Sequence, residues 1–246
     1  MKQYGVGVAD SSRGYGVTKH PTQLQREKEV RMIEISKVKI SGLGEAIRGM
    51  RNPMNSWDKS DTVYGTVYTL YDGTEIITED GFSIGYNDLD LMHRLAEAGT
   101  DHRKFMRMIV VYLDINAPMY WWKEFDTYKV GTVRNSCSTM HKIHSKEFTL
   151  DDFSHEHLDE DCLYTFEKVI SQLNTYREKY NKWKDKEFWW QMIQLLPSSY
   201  NQKSTVMLNY EVLANMYHSR NSHKLDEWVD FCKWIESLPY SELITS

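Results

Sequence analysis

Between Leu195 and Trp228 the chain reads LLPSSYNQKSTVMLNYEVLANMYHSRNSHKLDEW, placing Asn209, Asn215, Arg220, His223 and Glu227 at helical spacing after a Leu-Leu-Pro stop. A second polar cluster, Arg134-Asn135-Ser136-Cys137-Ser138, follows the aromatic run Tyr120-Trp121-Trp122. Together they offer cationic, amide and hydroxyl groups. A guanidinium holds a phosphate through parallel N–H bonds, and amides and hydroxyls donate and accept along the edge of a base or a flavin. The plain alternative is a capped turn and a solvated helix face, and the residues by themselves leave both readings open.

Other constellations carry less. His141-x-x-His144 would share a helix face, and His155 and His157 follow in an acidic stretch. Lys142 and Lys146 sit among the first pair and no His-Glu-x-x-His occurs, so no metal is expected. Gly5-Val6-Gly7 lies near a terminus instead of after a strand, and no Gly-Lys-Ser/Thr follows the early glycines, so neither a dinucleotide fingerprint nor a P-loop is supported. Serine or cysteine hydrolase chemistry is not expected either.

The elements that must position these groups follow from pattern. Residues 1–28 mix glycines with Ser, Thr and Gln without apolar periodicity and read as an irregular N-terminal arm. Val30 to Ile40 alternates as a half-buried strand, and Leu43 to Met50 reads as a short helix ended by Asn52-Pro53. Thr62 to Tyr71 and Thr74 to Thr78 read as strands joined at Asp72-Gly73, a strong hairpin signal. Asp88 to Ala98 is a helix with Gly99 at its C-cap, and Phe105 to Ile115 a buried strand broken at Asn116-Ala117-Pro118. For the next stretch, MYWWKEFDTYKVGTV, helix and strand both remain open. Leu158 to Leu196 reads as two helices stopped by Pro197, and a last helix is expected from about Thr205 to Ile235, bent near Ser219 to Ser222. The fold class expected is α/β (α+β), a mixed β-sheet with packed helices, in a single domain over residues 29–246.

Composition sets outer bounds. A chain of 246 residues that is 41% hydrophobic has enough apolar surface for one large core. The net charge of −5 argues against a surface devoted to a nucleic acid polymer, while leaving room for a local basic pocket for one nucleotide. Cys137, Cys162 and Cys232 are widely spaced and odd in number, as expected of reduced thiols. No run approaches the roughly 18 apolar residues of a membrane span, and a cytoplasmic protein is expected.

The order of segments resembles the flavin-dependent thymidylate synthase family, the thymidylate synthase complementing proteins. That family has a helix ending Leu-Pro, then Thr or Ser, Asn, Leu and a second Asn leading to Arg, followed by His-Ala-Gln-x-Glu-Ile. Here stand Leu196-Pro197, Thr205, Asn209, Leu213, Asn215, Arg220 and His223 to Trp228. Upstream, a helix ending at Gly99, polar Asp101 and His102, a strand and a further segment lead to the family signature Arg-His-Arg-x-x-Ser-x-Asn-Glu-x-Ser-x-Arg. Only Asn135 and Ser138 match that signature. Tyr128-Lys129-Val130 replace Arg-His-Arg, Ser136 the Glu and Met140 the last Arg, while Ile193 stands where an arginine usually precedes Leu-Pro.

The resemblance implies FAD held by Asn209, Asn215, His218, His102 and Lys129, and a dUMP-like nucleotide held by Arg220, Arg134, Asn135, Ser136 and Ser138. It further implies a homo-oligomer, with a tetramer among the expected forms. If the chemistry is kept, NADPH and methylenetetrahydrofolate are co-substrates and dUMP is methylated to dTMP. Two rivals stand beside it: a non-catalytic binder of nucleotide or flavin, and an interaction protein presenting aromatics such as Trp183, Trp189 and Trp190 to a partner.

Overall fold

In this computed structural model the structure describes residues 32–69 and 75–246, with the side chains of 64–69 and 75–81 excepted. The expected arm over 1–28, the strand start at Val30 and the Asp72-Gly73 turn lie outside the described residues.

In chain order come β1 (Glu34–Ser41), α1 (Leu43–Arg51), two 3-10 turns (Asn52–Met54, Trp57–Lys59), the ribbon strands β2 (Val63–Thr69) and β3 (Glu75–Ser83), and α2 (Tyr86–Glu97). A 3-10 helix (Arg103–Met108) leads into β4 (Val110–Pro118), followed by α3 (Met119–Phe125), β5 (Val133–Ser136) and α4 (Thr139–Lys142). After the 3-10 turn Leu150–Asp152 come α5 (Glu160–Trp183), α6 (Lys186–Leu195), β6 (Asn201–Asn209), α7 (Tyr210–Arg220), α8 (Asp226–Glu236) and α9 (Glu242–Thr245). The α/β class holds. Every pairing in the four-stranded sheet, ordered β1-β4-β6-β5, is antiparallel, as is the β2–β3 ribbon, so the sheet is not mixed.

One face of the sheet is dry. Val111, Leu113, Ile115 and Ala117 of β4 lie across from Leu208, Val206, Ser204 and Gln202 of β6, and all but Gln202 are buried. Against them pack Ile47 of α1, Met92 of α2, the aromatics Trp121, Trp122 and Phe125 of α3, and Trp228 and Phe231 of α8. The opposite face is wet, as antiparallel sheets permit: Thr205 Oγ1 donates to Asp114 at 2.6 Å and Lys203 pairs with the same carboxylate at 3.4 Å. A second, smaller core of Ile143, Phe148, Phe153, Ile170, Leu173 and Met192 lies under α4, α5 and α6. Among the described residues no helix is long and apolar enough to cross a membrane.

The structure corrects several expectations. Thr205 to Asn209 belongs to β6, because the alternation Ser204, Val206, Leu208 matches the inner face of β4 and cross-strand burial outweighs a helical reading of the same letters. The helix begins at Tyr210, where Asn209 Oδ1 accepts from Val212 N at 3.0 Å as an N-cap. It is not bent near Ser219 to Ser222 but ends at Arg220, and α8 starts afresh at Asp226. Phe105 to Met108 coils as 3-10 helix before β4, and the open aromatic stretch resolves to α3. The cap is backed by Gly131, whose φ of 79° and close approach suit glycine alone: a Cβ there would lie 2.8 Å from Asn209 Nδ2.

The joint between α1, α2 and the segment before β2 rests on Asp88, which is fully buried. Its carboxylate takes Arg51 Nε at 2.5 Å, the Ser60 and Thr62 hydroxyls at 2.6 Å each, and Thr62 N at 3.0 Å. Burial disfavours the charge, but the hydrogen bonds from Ser60, Thr62 and Arg51 outweigh it and hold the carboxyl below its ordinary 3.8. A depressed carboxyl stabilises the fold at every pH above its unfolded value. That contribution disappears as pH falls from the unfolded value through the folded one.

Two outcomes follow. Asp88→Asn leaves Arg51, 4% exposed, without its counter-ion, and should cost about 3–5 kcal/mol in urea unfolding at neutral pH. Its acid unfolding should also be shallower than wild type below the ordinary carboxyl value. For the α7 cap, Asn209→Ala should cost about 0.5–2 kcal/mol, and Gly131→Ala should cost less in the Asn209→Ala background than in wild type, because the colliding amide is gone. Equal costs in a double-mutant cycle would show that the two residues do not touch in solution.

Candidate functional site

The β4–β6 register places the candidate residues in two groups. At one end Val110 pairs with Asn209, which sets the 3-10 segment before β4 against the start of α7. Arg103 Nη2 donates to Asn215 Oδ1 at 3.2 Å, and Arg103 Nε lies 3.8 Å from Glu211. Arg107 forks onto the same Glu211 carboxylate, with Nη2 at 3.1 Å. Glu211, Asn215 and His218 share one face of α7 by their three- and four-residue spacing. His102 is exposed next to Arg103, and Lys129 is exposed two residues before Gly131, which seats against Asn209. All five residues expected around a cofactor therefore lie on the 3-10 segment, α7 and the loop that meets its cap.

This end can hold a polar heterocycle edge. Arg103 Nε is buried with no hydrogen-bond acceptor, and Asn209 spends its oxygen on the cap, which leaves its amide nitrogen as a donor. Both are donors facing this junction, and the oxygens and ring nitrogens of an isoalloxazine are acceptors, so the residues fit a flavin. Sequence reasoning passed over Arg103, since only its contact across the chain with Asn215 singles it out.

The two arginines expected at the phosphate are placed differently. Arg134 lies 3.8 Å above the Trp122 ring, and its three nitrogens reach Ser204 Oγ at 2.9 Å, Asp126 at 2.7 Å and Gln202 at 2.5 Å. Arg220 stacks 5.0 Å from the Trp228 ring, donates to the Tyr128 hydroxyl at 3.0 Å and pairs with Glu124 at 2.7 Å. That same Glu124 oxygen also takes Trp228 Nε1 at 3.2 Å and faces His223 at 3.3 Å. Both guanidiniums thus tie α3 to its neighbours. Glu227 is buried beneath the Tyr120 hydroxyl, whose own titration is pushed up by burial and by that carboxylate.

At the opposite end of β6, around Asn201 to Lys203, a cavity of about 340 Å³ opens between the sheet edge and the smaller core. Ser138, Lys142, Lys146, Lys203, Tyr200 and Asn201 line it, with Cys137 and Asp152. Ser138 caps α4 by accepting from His141 N at 3.2 Å, which leaves its hydroxyl proton free to donate. Lys146 is bonded to Asp152 and Lys203 to Asp114, whereas Lys142 has no ion pair among the described residues. Asn201 Oδ1 is buried with no donor, and burial, then Asp152, pushes the Tyr200 hydroxyl up and keeps it protonated. Of the sequence candidates only Ser138 lines this cavity. Asn135 and Ser136 are exposed on β5, opposite Thr205 and Ser204. Lys142 and Lys146, themselves at i and i+4, follow Ser138 with His144 between them, a spacing that by itself does not point to an anion.

One pentapeptide, Gly81-Phe82-Ser83-Ile84-Gly85, carries the letters of a nucleophile elbow, contrary to the expectation of no hydrolase motif. Ser83 ends a strand of a two-stranded antiparallel ribbon, opposite Val63, and has no histidine partner among the described residues. Although α2 begins at Tyr86, just after Ser83, the strand belongs to a two-stranded ribbon outside the four-stranded sheet, so the pentapeptide is read as a strand end and not as an elbow.

No protein-family model and no curated protein matches the sequence. Solved structures do. The flavin-dependent thymidylate synthase ThyX from Helicobacter pylori, complexed with FAD and dUMP, aligns at TM-score 0.59 and 19% identity over 85% of this chain and 98% of that one. A second structure of that enzyme with FAD and dUMP aligns at 0.60 and 17%, over 87% and 100%. The UMP/dUMP methylase PolB from Streptomyces cacaoi, bound with 5-Br UMP, aligns at 0.51 and 13%, over 87% and 93%. A four-stranded antiparallel sheet carrying these helices, spanning nearly the whole of each counterpart, is the fold of the flavin-dependent thymidylate synthases.

Proposed function

We propose that the chain binds FAD and a pyrimidine nucleotide, with the nucleotide phosphate in the Ser138 cavity and the flavin edge at the His102, Arg103 and Asn215 end of β6. The observation that carries this reading is the cavity: a fold shared with FAD- and dUMP-bound ThyX retains Ser138 in a nucleotide-sized cavity beside a lysine without a counter-ion. Lys142 and the Ser138 hydroxyl hold the phosphate, and Tyr200 donates beside them. Arg134 and Arg220 act as positioning residues, since each guanidinium already has its acceptors.

Gln202 and Asn209 are seven residues apart on β6, so the two ends are separated by about 23 Å along the strand. Transfer between a flavin and a nucleotide needs reacting atoms within about 3–3.5 Å. The reading therefore includes assembly of copies of the chain, so that the cavity of one faces the flavin end of another, in a homo-oligomer that may be counted by sedimentation. Were turnover retained, reduced flavin would supply the hydride to the methylene delivered from a folate, with NADPH as the reductant.

Turnover is the part the residues support least. A lysine is a point charge, while the family signature offers planar guanidiniums where this chain has Tyr128, Val130 and Met140. Losing one desolvated charged contact typically costs about 2–5 kcal/mol. The reading is accordingly a flavin- and nucleotide-binding protein without synthase turnover. The purified protein should show a flavin absorbance band, or take up FAD on titration, and bind dUMP saturably in calorimetry. Lys142→Gln should weaken dUMP about 10- to 150-fold, since bonds to charged groups are worth about 1.5–3 kcal/mol. Ser138→Ala should weaken it about fivefold, and Arg220→Ala should leave nucleotide affinity within about twofold while lowering stability. Tritium release from 5-tritiated dUMP should stay at background. Release above background would replace the binding-only reading with an active synthase, and absence of both ligands would leave the aromatic interaction surface as the better account.

A further inference from the structure

Behind the cavity, the turn after α4 meets the last turns of α5. The His144 ring packs edge-on against Tyr180 with centroids 4.8 Å apart. Its carbonyl accepts from Asn181 Nδ2 at 3.1 Å, and Asn181 Oδ1 in turn accepts from Lys184 Nζ at 3.4 Å. Lys142 and Arg177 also act on this imidazole electrostatically. Burial first, then Lys184, Lys142 and Arg177, hold it below its ordinary 6.5, so it is neutral at physiological pH.

What this notch lacks is an anion. Among the described residues Lys142, Arg177 and Lys184 form no ion pair, although twelve other cationic side chains, three of them histidines, pair elsewhere along the chain. Arg177 Nε and His144 Nδ1 are both buried without any hydrogen-bond partner. A guanidinium N–H desolvated with no acceptor, next to two further cations, is an arrangement that an oxyanion would satisfy. Solvated surface lysines need no such account, but a half-buried arginine with an orphaned nitrogen does.

We propose that Arg177, Lys184 and Lys142, around His144, form an anion site for a phosphate group, taken as inorganic phosphate or as a small phosphate monoester. Of its residues Lys142 also lines the Ser138 cavity of the proposed function, whereas His144, Arg177 and Lys184 do not, and these three carry the site without that cavity. A phosphate seated here adds negative charge beside the imidazole and so raises the pH at which His144 takes up its proton.

The test follows the His144 ring resonance by NMR in the full chain, assigned by its loss in His144→Asn, during titration with inorganic phosphate and, separately, with glycerol 3-phosphate at constant ionic strength. Saturable movement of the resonance is expected, with an upward shift of its titration midpoint at saturation. Arg177→Gln and Lys184→Gln should each weaken the apparent Kd at least tenfold, and Ser138→Ala should leave it unchanged. Response to phosphate but not to the ester identifies the free anion as the ligand, and the converse identifies the monoester. Lys184 is exposed, so Lys184→Gln keeps the test decisive if Arg177→Gln fails to fold. A resonance unmoved by either compound, or an equal response in Lys184→Gln, overturns the proposal. Loss of dUMP binding with this response intact would count against the cavity reading alone.

Discussion

The ladder between β4 and β6 is the constraint on which the rest of the molecule depends. It runs without a shift from Val110–Asn209 to Pro118–Asn201, whereas β1 pairs on its other side with an irregularity between Ser36 and Lys39. A one-residue slip would turn Val111, Leu113 and Ile115 to water, so burial fixes the register absolutely. That register decides the chemistry as well as the core. It brings Arg103 to Asn215 at one end of β6 and Tyr200 and Asn201 to Ser138 at the other, residues that lie roughly 60 to 110 positions apart in the chain.

Much of the architecture was legible because it rests on local pattern. The apolar centre of β4, the helices ended by Gly99 and Pro197, and the strands on either side of residues 70–74 are each marked by period and punctuation. Thr205 to Asn209 was not legible. Ser204, Val206 and Leu208 alternate, but Val206, Asn209 and Leu213 also fit a helix, and only the dry face of β4 settles the matter. The site divides in the same way. Asn209 and Ser138 stand at element ends, where polar residues have few reasons other than caps and ligands, and each is found at a cap, while Asn215, in mid-helix, is found at a cross-chain contact. Tyr200, Asn201 and Lys203 join Ser138 only through the β5–β6 edge, which no spacing announces.

The fate of the arginines shows why residue type alone misplaces a phosphate site. Arg134 and Arg220 have the right chemistry, yet each sits on a tryptophan ring with a carboxylate at 2.7 Å. For a phosphate to take Arg220 it must displace Glu124, and Glu124 would then face His223 and Trp228 alone. One anionic acceptor is exchanged for another, so the net gain is small. Lys142 has no such acceptor to give up. Although it makes a poorer geometric match to phosphate than a guanidinium does, the whole of its interaction with an incoming anion counts toward binding.

A chain with net charge −5 repels anions at long range, and the location of its unpaired cations is therefore informative. At physiological salt the field of distant carboxylates fades within about 8 Å, so what an anion meets at the surface is local. Around the turn from Lys142 to Lys146, the carboxylates of Asp152 and Asp114 are consumed by Lys146 and Lys203, and Lys142, Arg177 and Lys184 are left uncompensated. Self-repulsion among these cations works against the fold, and it is offset only by the smaller core beneath them, built from Ile143, Phe148, Leu173 and Met192. A phosphate bound on either side of that turn would relieve the repulsion directly. Ligand occupancy and the stability of the α4–α6 region are thereby linked, since whatever binds the native state and not the unfolded chain stabilises it by an amount that grows with the logarithm of ligand concentration above the Kd.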